Sequence, residues 1–205
     1  MPTLIHWPQT KIHNSPNTQM KKKAMRSKHQ VLVTAPIPSH VPPEAVLAHI
    51  QTFTPLLKHN AVFTSFSEIP PDTARVHSEP FFGPPNSSVR SFLCFQRLEL
   101  VAGLTQDEYW PITFLKVHNG IRARVDARAS VTVWIECLVR QAPDPGTPSS
   151  NGTLVEEWEL FEEVVVESHG LLMPFVSRYT ELAHQGICQR IMDDIIEMRL
   201  TGKAD

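Results

Sequence analysis

Three cysteines in 205 residues, Cys94, Cys137 and Cys188, are an odd number, lie far apart and form no Cys-x-x-Cys pair. Neither a disulfide framework nor a zinc site is expected from them, and they read as reduced, buried thiols of an intracellular protein. Nowhere does the chain offer the roughly 18 consecutive apolar residues of a membrane span. The N-terminus lacks the apolar central stretch of a secretory signal, so the expected location is cytoplasmic. With a net charge of -2 and no patch interleaving Arg with aromatic residues, a nucleic-acid partner is not expected. There is no G-x-S-x-G, no phosphate-binding loop, no G-x-G-x-x-G and no H-E-x-x-H. Hydrolase, nucleotide and zinc-protease templates therefore fail. What remains is cofactor-free and metal-free chemistry, or binding alone.

The chain does contain enough for one well-formed core, since 41% of its residues are hydrophobic. Residues 1–28 mix Pro, Asn and Thr with the run Lys21-Lys22-Lys23 and show no apolar periodicity. They are expected to be a disordered tail, with a folded domain over 29–200. From Gln30 the pattern changes. QVLVTAPI reads as a strand, PPEAVLAHIQTF as a short helix with Val46, Leu47 and Ile50 on one side, and PLLKHN as a second. Six further extended runs follow, from AVFTSFSEI to WELFEEVVVES, separated by turn chemistry. His118-Asn119-Gly120 predicts a tight hairpin whose Asn-Gly pair supplies positive φ angles. APDPGTPSSNG, residues 142–152, predicts a longer hairpin loop.

The last periodic segment, Leu171 to Arg199, predicts one long helix, with Pro174 in its first turn where a missing N–H costs nothing. Val176, Tyr179, Ala183, Ile187, Ile191, Ile195 and Met198 fall on one stripe, which should face the sheet. The expected class is therefore α+β: a curved antiparallel sheet wrapped around a long C-terminal helix, with two short helices after the first strand.

This order resembles the helix-grip fold of the START and Bet v 1-like superfamily, which includes polyketide cyclases, lipid-transfer proteins and hormone receptors. A narrower likeness lies at the C-terminus, where Glu162, Glu163, Val164, Leu172, Met173, Pro174, Phe175, Val176, Ala183 and His184 resemble the signature of a fungal branch catalogued as a domain of unknown function. DARASVTV departs from that branch, which has Ala-Pro and then Gly there. The resemblance implies a hydrophobic cavity and a polyketide-like small-molecule ligand. It also implies membership of secondary-metabolite clusters, including aurovertin-type ones, in which a cyclase closes an α-pyrone. A polyketide synthase carrier domain is compatible with it as a partner; no oligomeric state is implied.

In such a cavity the polar residues are the candidates for chemistry. His184, at the edge of the stripe, suits a general base, or else a structural histidine bonded to a carbonyl. Tyr179 suits a donor to a developing oxyanion, or a core ring with a satisfied hydroxyl. On LCFQRLEL, Arg97 and Glu99 share a side with Leu93 and Phe95, so they line a cavity or else leave the core; Arg97 there would hold a carboxylate or enolate. On IRARVDAR the usual reading puts Ile121, Ala123 and Val125 inside and Arg122, Arg124, Asp126 and Arg128 outside. An inversion at DARAS would bring Arg124 and Asp126 into the cavity as anion clamp and base. Val176 and Ile187 complete the expected ligand contacts. The leading expectation is a cofactor-independent, pyrone-forming cyclase with His184 as base and Tyr179 and Arg97 on the oxyanion. A carrier of an apolar metabolite or lipid is the rival.

Overall fold

The computed structural model describes residues 26–99, 105–143 and 157–201. In chain order these form β1 (Arg26–Pro36), α1 (Pro43–Ile50), α2 (Thr54–His59), β2 (Phe63–Ile69), α3 (Thr73–Ser78), β3 (Arg90–Glu99), β4 (Thr105–Val117), β5 (Gly120–Ala127), β6 (Val131–Gln141), β7 (Trp158–His169), α4 (Met173–His184) and α5 (Ile187–Thr201). The strands make one seven-stranded sheet in the order β1-β7-β6-β5-β4-β3-β2. Every neighbouring pair is antiparallel. The architecture is the helix-grip fold.

Two edge strands, β1 and β2, are joined by α1 and α2, which cross the open side of the sheet. Proline opens both helices in the first turn, where no N–H is needed. Their apolar sides, Val46 and Ile50 on α1 and Leu56 and Leu57 on α2, are buried against the concave face together with Ile187, Ile191 and Ile195 of α5. From the sheet, Ile121, Ala123, Ile135, Cys137, Leu160 and Val164 complete this core. Alternation along each strand is what supplies that inner face.

Three local expectations are corrected. β1 begins at Arg26, so residues 26–28 belong to the sheet and not to the tail: the backbone pairs with β7, and Arg26 and Lys28 both reach Glu167, at 2.5 and 3.6 Å. Residues 1–25 lie outside the described residues, as does most of the 142–152 loop. The β4–β5 hairpin forms where expected, yet none of its residues has positive φ. Gly120 is needed for space, because a Cβ there would stand 2.0 Å from the Cys137 carbonyl oxygen.

The third correction concerns the C-terminal helix, which is not continuous. Pro174 does open α4 in the first turn, but α4 ends at His184, and Gln185 and Gly186, the latter with φ 68°, turn the chain before α5 begins. A left-handed residue costs glycine least, which is why the break falls there. The stripe read from the sequence is accordingly split. Ile187, Ile191 and Ile195 are buried, while Tyr179 is 36% exposed.

Candidate functional site

Because α4 turns away, the concave face under it is not filled. A cavity of about 390 Å³ lies between the sheet, α2 and α4, within the range of about 300–1,000 Å³ of small-molecule sites. Ile112, Phe114, Val125, Val133 and Ile135 form its floor, and Leu56, Leu57, Val176 and Ala183 its roof. Phe175 and Tyr179 both line it and are 70% and 36% exposed, so the mouth lies along α4. A hollow of about 650 Å³ beside the β4–β5 hairpin is larger, but it is a groove on the outer surface lined by Asn86, Ser88, Lys116 and His118.

Six polar side chains reach the cavity: Asn60, Gln96, Trp110, Tyr179, Thr180 and His184. Two are occupied locally. Asn60 Oδ1 accepts from the Val62 N–H at 3.1 Å, and Thr180 Oγ1 donates to the Val176 carbonyl at 2.8 Å. Across β3 and β4, Trp110 Nε1 donates to Gln96 Oε1 at 3.1 Å. On the opposite side, His184 Nδ1 lies 3.0 Å from Glu162 Oε1. Glu162 is fully buried, and its second oxygen has no hydrogen-bond partner among the described residues. A buried carboxylate is costly unless paired, so this dyad is a high-stakes part of the wall.

The structure brings His184, Tyr179 and Val176 together on the cavity and separates the rest of the expected set. Arg97 is on the outer face, where it pairs with Asp107 across the strand at 2.8 Å; hydrogen bonding and charge raise the Arg97 pKa and lower that of Asp107. The reason is the pleat: Phe92, Cys94 and Gln96 alternate on the buried face of β3, so its neighbour Gln96 holds the place expected for Arg97. The Glu99 side chain lies outside the described residues. On β5 the apolar residues face inward and no inversion occurs. Arg124 pairs with Glu79 and Asp126, and Arg75 also meets Asp126, all on the outer face; burial, and then Arg75, lowers the Arg124 pKa. The DARAS irregularity instead becomes a tight turn in which Ala129 and Ser130 have φ 55° and 58°. Ile187 is a core residue beyond the helix break and does not line the cavity.

Sequence reasoning did not give Glu162 or Gln96 a role in the site, although the signal was available. Each is a polar residue on an otherwise apolar side of its strand, Glu162 between Leu160 and Val164 and Gln96 beyond Phe92 and Cys94. The three thiols are buried as expected. Burial pushes Cys94 up to about 12, and Cys137 and Cys188 are raised by burial and by the nearby Glu162, so none is suited to nucleophilic work. Among the described residues no cluster of His, Cys, Asp and Glu could hold a metal, and no helix is long and apolar enough to cross a membrane.

The family model of DUF7053, described as a domain of unknown function, matches residues 26–197. The chain belongs to the DUF7053 family. No curated protein matches it significantly. Solved structures similar to this DUF7053 chain include Ara h 8.0201, at 12% identity and a TM-score of 0.47 over 83% of this chain and 99% of the other. Another is the di-domain ARO/CYC BexL from the BE-7585A biosynthetic pathway, at 10% identity and 0.39, covering 85% of this chain and 46% of that one. A third is the hypothetical protein jhp0584 from Helicobacter pylori, at 11% and 0.41 with 96% of each chain covered.

Proposed function

We propose that this DUF7053 protein is a cofactor-independent cyclase for a polyketide-like intermediate, with lactonisation to an α-pyrone as the specific reaction. The observation that carries it is a buried histidine, His184, on the wall of a mainly apolar cavity and backed by the buried Glu162. Chemistry on a poly-β-carbonyl chain asks little of a protein: an enclosed space that folds the chain, a base, and a donor for the oxyanion. With Glu162 holding Nδ1, the Nε2 edge of His184 is left for the ligand.

In the proposed reaction Nε2 removes the proton of an enol hydroxyl and the enolate oxygen attacks the terminal thioester carbonyl. The tetrahedral oxyanion collapses, the C–S bond breaks, and the leaving thiolate takes the proton back from the imidazolium. No net proton is gained or lost by the enzyme. Glu162 steadies the transient imidazolium and fixes the ring. Tyr179 at the mouth remains the candidate donor to the oxyanion, and Arg97 has no part.

Carriage of an apolar metabolite is the second reading. It is favoured by the exposure of Leu171, Phe175 and Leu182, at 81%, 70% and 52%, on or just ahead of the helix that borders the mouth. Turnover separates the two. Product release from a synthetic tricarbonyl thioester is compared for the wild type, His184→Gln and buffer. Loss of a general base is expected to slow turnover by a factor of about 10² to 10⁴ while the fold is kept. Equal rates in all three would refute the cyclase reading and leave carriage.

A further inference from the structure

We infer that the cavity is built for an uncharged ligand carrying a carbonyl oxygen at one end and an acidic hydroxyl at the other, and that Gln96 is the residue that selects the carbonyl. This rests on the reading that the cavity is a ligand site; it does not require that the ligand be turned over.

The assignment follows from which atoms are already used. An indole N–H can only donate, so Gln96 must present its oxygen to Trp110 Nε1, 3.1 Å away. That fixes the amide the other way round for the ligand. Gln96 is 6% exposed and lines the cavity, and among the described residues the only hydrogen bond of its side chain is the one from Trp110 to Oε1, so its NH₂ faces the cavity. At the second end His184 Nδ1 stands 3.0 Å from Glu162 Oε1; in the tautomer that donates from Nδ1 to this oxygen, Nε2 offers a lone pair. His184 is 5% exposed. Asn60, 7% exposed and with its Oδ1 taken by the Val62 N–H, holds a second amide donor on the cavity, while the Gln96 donor and the His184 acceptor lie on different walls, β3 and α4. These last two groups face the cavity with no protein partner among the described residues, and a molecule that meets both replaces the water it displaces, whereas one that meets neither strands them.

Charge is excluded by the same inventory. No Lys, Arg, Asp or Glu lines the cavity among the described residues. Arg128, which follows the lining residue Ala127, is turned outward, 76% exposed and beside Glu108 at 3.4 Å. A carboxylate drawn into the cavity would therefore lose water without gaining a cation.

The test uses fluorescence titration of the full chain at pH 7.5 with four naphthalenes of one size class. 6-Acetyl-2-naphthol carries both groups, 2-naphthol and 2-acetylnaphthalene one each, and 6-hydroxy-2-naphthoate replaces the ketone by a carboxylate. The bifunctional probe is expected to bind about tenfold more tightly than either monofunctional one, and the carboxylate most weakly. Gln96→Met should abolish the advantage of the ketone and leave 2-naphthol affinity unchanged. Trp110→Phe, which keeps Gln96 but frees its amide to turn, should reduce that advantage in part. Equal affinities for all three neutral probes, or tightest binding of the carboxylate, would overturn the inference and leave the cavity a ligand site. Failure of every probe to bind would overturn the ligand-site reading and this inference with it.

Discussion

Removing His184 and removing the charge of Glu162 should have very different consequences for stability, although the two residues share one hydrogen bond. Glu162 is 0% exposed, and its second oxygen is without a hydrogen-bond partner among the described residues, so the 3.0 Å contact to His184 is what compensates its burial. His184→Leu takes that contact away and strands a buried carboxylate. Breaking a buried pair in this manner costs about 3–5 kcal/mol. Glu162→Gln keeps the shape and an acceptor oxygen for Nδ1, and it removes the desolvation cost of the charge. The charge-assisted bond lost is worth about 1.5–3 kcal/mol, which the relieved desolvation offsets, so the net change should be within about 1 kcal/mol. In the double variant Glu162→Gln/His184→Leu, most of the cost of His184→Leu should disappear. Urea unfolding of the wild type and the three variants measures this directly, provided the slope with denaturant stays constant. A His184→Leu cost below about 1 kcal/mol, or additive costs in the double variant, would refute the argument that the dyad is a coupled buried pair.

Gly120→Ala should cost more than about 2 kcal/mol, because its Cβ would meet the Cys137 carbonyl oxygen at 2.0 Å and the strands must part; unfolding midpoints check this. Ala129→Gly should stabilise by about 1 kcal/mol by relieving a left-handed alanine at φ 55°, seen as a raised thermal midpoint. Burial lowers the His49 pKa from 6.5, with Asp194 opposing and His59 and Lys58 adding to the shift. The unfolded chain therefore takes up that proton first, and stability falls as the pH drops below 6.5 until the folded state is protonated too. His49→Gln should lose less stability than the wild type between about pH 7 and 5, and parallel curves would contradict the sign.

Much of the fold was legible because strands and helices announce their periods. Seven extended runs gave seven strands, and Pro43 and Pro55 opened the two short helices as read. The site was less legible, and the reason is register. Arg97 and Gln96 are adjacent, and a period of two puts neighbours on opposite faces, so the choice between them rests on which set is buried. The apolar residues of β3, Phe92, Leu93, Cys94 and Phe95, occupy both faces, and only the sheet's curvature shows that Phe92 and Cys94 are inside. On strand β5 the alternation favoured one face, and only the DARAS irregularity kept the inverted alternative open. Ile121, Ala123 and Val125 were apolar against Arg122, Arg124 and Asp126, and the plain reading held. The α3 segment (Thr73–Ser78) was unread because it is as short as α2 yet has neither a proline in its first turn nor more than one buried apolar residue to mark it.

The helix break connects fold to site. Along a straight helix from Met173 to Thr201, the stripe of Val176, Ala183 and Ile187 would continue onto the sheet and pack it from end to end. In the structure, α5 does pack in that manner, and Ile187, Ile191 and Ile195 are each 3% exposed or less. Four features hold α4 in its different path: Gly186 at φ 68°, the Ala61 N–H bonded to the Ala183 carbonyl at 3.1 Å, the close approach of His29 Nε2 to the Glu181 carboxylate at 3.0 Å, and His184 bonded to Glu162. Three of these gather within the last turn of α4, just before the break. The same histidine that would serve as base is therefore one of the groups fixing the helix that roofs the cavity. Substitutions at His184 must accordingly be read with a stability measurement beside any measurement of turnover, and His184→Gln, which retains a donor for Glu162, is the variant in which the two effects come apart.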